Sequence, residues 1–197
     1  MSDAGQMRAF LAVDLAVPTV RRVAEAQGAL RAAAASAGWR VGWVSPAQMH
    51  VTLKFLGGVR RELATAIEDR LARALAAFSP FEVEAASAGA FPSEGRPHVL
   101  WIGLRGDDGR LVRLAGEVDA AMEGLGLVRE ARAFHPHVTV GRVKEAQGGA
   151  DSVIAGLGES SFGTSIVREV VLYESHTLPS GAKYTPLARV PLGARRA

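Results

Sequence analysis

The sequence contains no cysteine, few aromatic residues and no long apolar run. The absence of cysteine from 197 residues excludes disulfides, thiolate catalysis and cysteine-based zinc sites. No stretch approaches the ~18 uninterrupted apolar residues typical of a membrane helix. The short apolar stretch at residues 9–13 lacks the length and basic flank of a signal peptide. We therefore expect a cytoplasmic protein that does not contact a membrane.

Positive charge exceeds negative charge only slightly. Lys and Arg total 23 against 20 Asp and Glu, so the net charge is +3. This charge gives a mild attraction to polyanions and is equally consistent with ordinary solubility. Apolar residues make up 48% of the chain, enough for a sizeable core. Because no linker separates its parts, we predict a single domain over residues 1–197, and we expect a monomer.

Apolar periodicity and turn residues predict a mixture of strands and helices. Helices end at Gly and Pro signals, as at Gly38 and Pro80. The predicted helices cover residues 18–38, 63–78, 111–125 and 152–157. The predicted strands cover residues 8–14, 49–56, 81–90, 99–104, 133–143, 166–175 and 184–190, with a turn at 178–181. Each half of the chain holds helices and strands, which predicts two similar lobes.

A short motif occurs twice, as His-Val-Thr-Leu at residues 50–53 and His-Val-Thr-Val at residues 137–140. Residues i and i+2 of a strand point to the same side. Each motif strand therefore presents an imidazole and a hydroxyl on one face. By the same alternation, Val51, Leu53 and Phe55 should face the core, while Lys54 should share the face of His50 and Thr52 and line a cleft.

Paired imidazoles suit proton transfer. The ordinary histidine pKa is about 6.5, so one ring can hold a proton while the other lacks it. The stiff side chains of Thr52 and Thr139 can donate hydrogen bonds to negative oxygens, such as those on phosphorus. His50 and His137 are therefore candidates for the general acid and the general base of a phosphoryl reaction.

Other interpretations of these residues remain open. A single histidine is more often buried and hydrogen-bonded than catalytic, although the repetition favours function. His135 and His137 could share a metal ion, but no further ligands follow at suitable spacing. The sequence contains neither a Gly-x-Ser-x-Gly elbow nor a Gly-Lys-Ser/Thr phosphate loop. The repeated motif is therefore the leading functional signal.

At these residues the sequence resembles the two-histidine phosphoesterase superfamily. Within it, the sequence is similar to the RNA 2′,3′-cyclic phosphodiesterases, also called 2′-5′ RNA ligases. The resemblance covers nearly the whole chain. It is carried by the blocks RAFLAVDL at 8–15, HVTLKFLG at 50–57, VLWIGL at 99–104, FHPHVTVGR at 134–142 and GAKYT at 181–185.

The resemblance implies an α+β fold with two lobes, each with an antiparallel sheet and helices, and a V-shaped cleft where the motifs meet. It implies that His50 donates a proton to the departing 3′ oxygen and that His137 accepts one from water. The product would be a 2′-phosphate. Thr52, Thr139 and Arg142 would bind the substrate. Motif spacing alone does not distinguish these roles from the reverse assignment.

The implied partner is an RNA end carrying a 2′,3′-cyclic phosphate, with no metal and no cofactor required. Ligation of 2′-5′ junctions would be the same chemistry in reverse. Two alternatives stay open: a phosphodiesterase acting on a small cyclic nucleotide or a 2′-5′ oligoadenylate, and a non-catalytic protein that binds RNA ends. The presence of both His50 and His137 disfavours the second.

Overall fold

The structure is a computed structural model that describes residues 5–106, 108–158, 160–178 and 181–193. Its helices are α1 (Val17–Ser36), α2 (Leu63–Leu75), α3 (Arg110–Glu123) and α4 (Asp151–Ile154), with short 3₁₀ turns at Pro46–Gln48 and Ala155–Leu157. Its strands are β1 (Gln6–Val13), β2 (Arg40–Trp43), β3 (Val51–Arg60), β4 (Phe81–Phe91), β5 (Val99–Arg105), β6 (His137–Glu145), β7 (Ser161–Val167), β8 (Glu169–Leu178) and β9 (Gly181–Pro191).

The strands form two antiparallel sheets. The first sheet has the order β3-β1-β8-β9, and the second has the order β2-β6-β5-β4-β7. The first motif begins the edge strand β3, and the second motif begins β6, one strand in from the edge of its sheet. The predicted α+β fold with two antiparallel sheets is confirmed.

Helices α2 and α3 cover one face of the first sheet and form the first lobe with it. That face is built by strict alternation in β1, where Met7, Ala9, Leu11 and Val13 are buried. Apolar residues at helical spacing meet it from the helices; among them are Ile67, Leu71, Leu75, Leu111, Leu114 and Val118. Burial of these stripes is the main stabilising contribution to the first lobe.

Helix α1 packs on the second sheet and forms the second lobe with it and α4. Its buried face includes Val23 and Leu30, and also the polar residue Gln27. The Gln27 side-chain amide donates hydrogen bonds to the carbonyls of Val44 and Val140, at 2.7 and 2.8 Å. Because a buried amide needs such partners, Gln27 fixes α1 against the strand that carries the second motif.

The lobes do not correspond to halves of the sequence. The first sheet combines β1 and β3 with β8 and β9, from the opposite end of the chain. Helix α1 follows a strand of the first sheet yet packs on the second, whereas α3 follows a strand of the second sheet yet packs on the first. The chain therefore crosses between the lobes several times.

Several predicted features differ from the structure. The strand predicted at 133–143 begins only at His137, directly after Pro136, which has no N–H to donate to a sheet. The strand predicted at 166–175 is two strands, β7 in the second sheet and β8 in the first, and the chain changes sheets at Arg168. Arg168 and Glu169 interrupt the apolar run here, but no Gly or Pro occurs, so the sequence lacks the usual signal of a strand end. Strand β2 was not predicted because four residues are too few to show alternation. The predicted turn at 178–181 includes residues 179 and 180, which lie outside the described residues.

Candidate active site

The two sheets meet at the motif strands. β3 and β6 contact each other; His50 immediately precedes β3, and His137 is the first residue of β6. The charges of His137 and Arg142 both lower the pKa of His50, and the charge of Arg142 also lowers the pKa of His137. The structure therefore brings His50, His137 and Arg142 together between the lobes.

The His137 ring is oriented by its own backbone segment. Its Nδ1 lies 2.7 Å from the His135 carbonyl oxygen. A carbonyl only accepts hydrogen bonds, so Nδ1 carries the hydrogen, and neutral His137 keeps the lone pair on Nε2. The edge of the Phe91 ring packs against the imidazole with centroids 5.1 Å apart. His137 is thus prepared to accept a proton at Nε2.

The His50 ring has a matching arrangement. Its Nε2 lies 3.1 Å from the Thr52 hydroxyl, and the ring also hydrogen-bonds to the Gln48 backbone, for which Nδ1 remains. The ring stacks on Phe10 at 4.8 Å and 24° and meets Tyr184 edge-on at 5.3 Å. Both imidazoles are therefore held by a backbone contact two residues earlier and by aromatic packing.

Burial lowers the pKa of both histidines below the ordinary value, because a charged ring is less stable away from water. The backbone contacts of Gln48 and His135 offset part of this effect. Asp14 acts on His50 in the same direction and raises its pKa. Asp14 is held in place by the Tyr173 hydroxyl, which donates to its carboxylate at 2.8 Å. A carboxylate thus assists protonation of His50. The charges of His135 and Arg142 oppose protonation of His137.

Thr139 and Arg142 reach the site through a strand irregularity. Thr139 shares the face of His137 by alternation, and both are half-buried. Simple alternation would turn Arg142 to the opposite face. However, Trp101 pairs with Thr139 and Leu100 with Gly141, which leaves Val140 as an extra residue in β6. This bulge reverses the alternation, so the exposed Arg142 joins the face of the motif.

A second bulge corrects two sequence predictions, those for Lys54 and Phe55. Ala12 pairs with Thr52 and Leu11 with Lys54, so Leu53 is extra and the alternation reverses after it. Lys54 does not line the cleft: it is 5% exposed, pairs with Asp119 of α3 and donates to the Val128 carbonyl at 2.7 Å. Phe55, predicted to face the core, is 68% exposed.

Trp101, Phe91 and His135 form a support beneath His137 that sequence reasoning missed. The Trp101 ring lies 4.8 Å from His135 and 5.2 Å from Phe91. It lies across Gly89, where a Cβ atom would come within 2.2 Å of the indole. The sequence signal available for this contact was Gly89, because a glycine inside a strand often marks the close approach of another group. Among the described residues, Trp101 Nε1 is a buried side-chain polar atom with no hydrogen-bond partner.

The described ranges contain no cluster of metal ligands, since no three of their His, Asp or Glu side chains converge on one point. His135, considered above as a metal partner of His137, instead contributes its backbone carbonyl. Within the same part of the chain, no helix combines the length and apolar character needed to cross a membrane.

Comparisons with known proteins agree on one family. The model of the LigT-like phosphoesterase family matches residues 13–101 and 104–184. A protein of Archaeoglobus fulgidus named RNA 2′,3′-cyclic phosphodiesterase is 38% identical over 144 residues, which cover 73% of this chain and 80% of the relative.

Solved structures give the same result. The crystal structure of a Thermus thermophilus protein superposes with a TM-score of 0.79 at 27% identity, covering 96% of this chain and 100% of that one. Escherichia coli LigT, in its complex with 3′-AMP, superposes with a TM-score of 0.71 at 26% identity over 96% and 99% of the two chains. The predicted superfamily is confirmed, and this chain belongs to the LigT-like phosphoesterase family.

Proposed function

We propose that this protein is an RNA 2′,3′-cyclic phosphodiesterase that opens a terminal cyclic phosphate to a 2′-phosphomonoester. The observation that carries the proposal is the matched pair His50 and His137, one from each sheet, each with its Nδ1 side occupied by the backbone. In-line displacement at phosphorus needs an acid and a base on opposite sides of the phosphate. The name of the Archaeoglobus relative supports the same reaction.

We assign His50 as the proton donor and His137 as the proton acceptor. Asp14 favours the protonated form of His50, as an acid requires. The hydrogen bond from His137 Nδ1 to the His135 carbonyl leaves a lone pair on Nε2, as a base requires. Both rings have such a backbone contact, so the assignment over its reverse is supported by the charges that differ, Asp14 at His50 and His135 at His137.

The reaction then follows from these positions. His137 Nε2 takes a proton from water, and the water oxygen forms a bond to phosphorus. The bond between phosphorus and the 3′ oxygen breaks, and that oxygen receives the proton of His50. The products are a 2′-phosphate and a free 3′ hydroxyl. Transfer of one proton back to His50 through solvent restores the starting state, so no metal or cofactor is needed.

Thr52, Thr139 and Arg142 are assigned to binding the non-bridging phosphate oxygens. The two hydroxyls share the faces of His50 and His137, and the charge of Arg142 acts on both rings. Donors fixed before the reaction stabilise charge as it develops, at about 3–4 kcal/mol for one well-placed donor. Arginine suits this task because its planar fork can contact two phosphate oxygens.

The wider expectations belong to the same proposal. The chain would act in the cytoplasm as one bilobal domain over residues 1–197 and as a monomer. Its substrate would be the cyclic end of an RNA strand. Ligation to a 2′-5′ junction would open the same cyclic phosphate, with the 5′ hydroxyl of a second strand bonding to phosphorus in place of water and the 3′ oxygen leaving as before.

The decisive experiment uses a short RNA ending in a 2′,3′-cyclic phosphate, with EDTA present. Wild type should form the 2′-phosphate. His50→Ala and His137→Ala should each lose at least about 100-fold in kcat, since one general acid or base contributes ~10²–10⁴-fold. His176→Ala is the matched control, because His176 lies on β8 beside Glu174.

Each contrary outcome has a distinct meaning. A 3′-phosphate product would show that the 2′ oxygen leaves instead of the 3′ oxygen. Turnover of a cyclic mononucleotide or a 2′-5′ oligoadenylate, but not of RNA, would identify a small substrate. Full inhibition by EDTA would show that a metal is required. Binding of the RNA without turnover of any of these substrates would identify an RNA-end binding protein.

A further inference from the structure

An exposed aromatic ring stands beside the candidate active site. Phe10 lies at the centre of a ring cluster and is only 3% exposed, because His50, Tyr184, Tyr173 and Phe55 surround it at 4.8, 5.0, 5.3 and 6.2 Å. Phe55 itself is 68% exposed and is the one aromatic residue among the large, exposed apolar side chains of the described ranges. Phe55 is therefore the most exposed ring of this cluster, since His50, Tyr173 and Tyr184 are half-buried.

Two bulges in β3 place Phe55 on this face. β3 carries an extra residue on each side of Phe55, because its pairing with β1 shifts between Ala9 and Phe10 and again between Leu11 and Ala12. Without the bulge at Leu53, Phe55 would face the core with that residue. Bulges recur next to functional sites because they re-aim side chains. An apolar ring held in water beside an active site marks a surface that a ligand can cover.

Arg8 stands next to this ring. It lies two residues before Phe10 in β1, so it projects from the same face. Phe10 pairs with Phe55, and Arg8 pairs with Gly58, which makes Arg8 a diagonal neighbour of Phe55, with Cα atoms typically ~7–8 Å apart. Arg8 is exposed, and no hydrogen bond or ion pair to another described residue satisfies its guanidinium.

These groups follow one another along β1, starting from the end of the strand nearest His50. His50 stands at the candidate active site, Phe10 contacts both His50 and Phe55, and Arg8 lies beyond. Arg60 continues the series: it is exposed and pairs with Gln6 at the end of β1, with Glu62 3.7 Å away. An aromatic ring followed by cations is the arrangement that holds single-stranded nucleic acid, with bases on rings and phosphates on Arg.

We propose that Phe55 and Arg8 form a second nucleotide subsite, in which the Phe55 ring stacks on the base of the penultimate nucleotide and Arg8, which lies beyond that ring, binds the phosphodiester on the 5′ side of the same nucleotide. This subsite rests on the proposed function and specifies its substrate as an RNA strand, not a cyclic mononucleotide. It tolerates any base, because every base offers a π face. Its contribution is to binding, since proton transfer is assigned to His50 and His137.

The first test compares two substrates. Phe55→Ala should raise KM about tenfold for a tetranucleotide ending in a cyclic phosphate, the loss expected for one stacked base. Its kcat, and its KM for a cyclic mononucleotide, should stay unchanged. Phe55→Trp should restore tight binding. Val17→Ala is the matched control, because Val17 is 65% exposed and lies at the start of α1.

The second test measures salt dependence. Arg8→Gln should raise KM for the tetranucleotide and reduce the slope of log KM against log salt by about 0.7, the value for one phosphate contact on a single strand. Arg21→Gln is the matched control, because Arg21 is exposed on α1. The cyclic mononucleotide has no phosphodiester to a preceding nucleotide and should show neither effect.

A direct readout of stacking complements the kinetics. A tetranucleotide with 2-aminopurine as its penultimate base should lose fluorescence when it binds the inactive His137→Ala variant. This quenching should disappear when Phe55→Ala is added. Equal KM values for wild type and Phe55→Ala on the tetranucleotide, or an equal loss on both substrates, would overturn the subsite alone. Failure of wild type to hydrolyse either substrate would instead overturn the proposed function.

Discussion

His50 and His137 share the same backbone support but have different charged neighbours. Each ring has its Nδ1 side against the backbone two residues earlier, and Nε2 of His50 lies 3.1 Å from the Thr52 hydroxyl. The charge of Asp14 raises the pKa of His50, the charge of His135 lowers the pKa of His137, and the charge of Arg142 lowers the pKa of both rings. Such unequal environments push two otherwise equal groups toward opposite protonation states, which is how acid and base roles are divided.

The free enzyme should work best in mildly acidic solution. Burial holds the pKa of both histidines below the ordinary value, about 6.5. Activity needs a protonated His50, so kcat/KM should fall as the pH rises through the pKa of that ring. A bell-shaped profile of kcat/KM with its maximum below about pH 6.5 is expected. A maximum above about pH 8 would contradict the assigned acid.

Asp14→Asn should move one limb of that profile. Loss of the carboxylate charge removes an interaction that raises the pKa of His50, so the alkaline limb should shift to lower pH. The acidic limb, governed by His137, should stay in place. Steady-state kinetics over a pH range spanning both limbs would measure the shift, with Asp151→Asn on α4 as the control. A shift of the acidic limb alone would reverse the assigned roles.

Arg142→Gln should have the opposite effect on pH dependence. The Arg142 charge lowers the pKa of both histidines, so both limbs should move to higher pH. KM should also rise about 10- to 100-fold, since hydrogen bonds to charged groups contribute ~1.5–3 kcal/mol. Arg132→Gln, an exposed arginine in the segment before the motif, serves as the control. An unchanged KM would show that Arg142 does not bind the phosphate.

Strand irregularities decide which side chains reach the site. Most helices and strands were predictable, because their apolar periodicity is regular. The motif residues were predictable because each lies within two residues of its histidine. Lys54, Phe55 and Arg142 were not predictable by alternation, since an extra residue at Leu53 or Val140 reverses the pattern. A bulge depends on the partner strand, and a single sequence does not record that pairing.

The Lys54–Asp119 pair connects three elements. Lys54 is on β3, Asp119 is on α3, and Lys54 also binds the Val128 carbonyl in the segment that leads to the second motif. Asp119 additionally accepts a hydrogen bond from the Glu130 backbone N–H at 3.2 Å. This pair therefore fixes the first motif strand relative to the approach to His137.

Lys54→Met should destabilise the protein by about 1.5–3 kcal/mol, because Asp119 loses its buried charged partner and keeps Arg129, which is 57% exposed, as its remaining ionic partner. The double variant Lys54→Met/Asp119→Leu should recover most of this loss. Urea unfolding of wild type, both single variants and the double variant would measure the coupling. Arg40→Met is the comparison, since the exposed Arg40–Glu145 pair should contribute at most ~1 kcal/mol. A double variant as unstable as Lys54→Met would refute the explanation.

Gly89→Val should displace the Trp101 indole from β4, since even a Cβ atom would lie 2.2 Å from it. A cost of about 1–3 kcal/mol is typical of such overpacking. Because Trp101 supports His135 and His137, kcat should fall and the tryptophan emission should shift. Gly28→Ala on α1 has no atom within 4 Å of the new Cβ and should change neither signal. Normal kcat in Gly89→Val would show that the indole does not position His137.

The two lobes are interlaced by the chain, which crosses between them at several points. The first sheet needs strands from both ends of the sequence, and α1 and α3 each pack on the lobe that does not contain the preceding strand. No single cut separates the lobes. This arrangement supports the proposed single domain over residues 1–197.

Unfolding should accordingly be cooperative. All three tryptophans, Trp39, Trp43 and Trp101, lie in or beside the second lobe, so their fluorescence reports on that lobe alone, whereas far-UV circular dichroism reports on both. The two urea transitions should coincide in midpoint and slope. Separate transitions would show that the lobes unfold independently and would contradict the single domain.

The position of β9 also determines when a growing chain can become active during its synthesis on the ribosome. Synthesis proceeds from the N-terminus, so every strand of the second sheet, through β7, emerges before β8 and β9. During this time His50 lies beside a first sheet that still lacks β8 and β9. Tyr184 of β9, which contacts the His50 ring, is synthesised after every strand of the second sheet. Competence for catalysis should therefore arise only after β9 has been made, and truncated products that end before β9 should be inert.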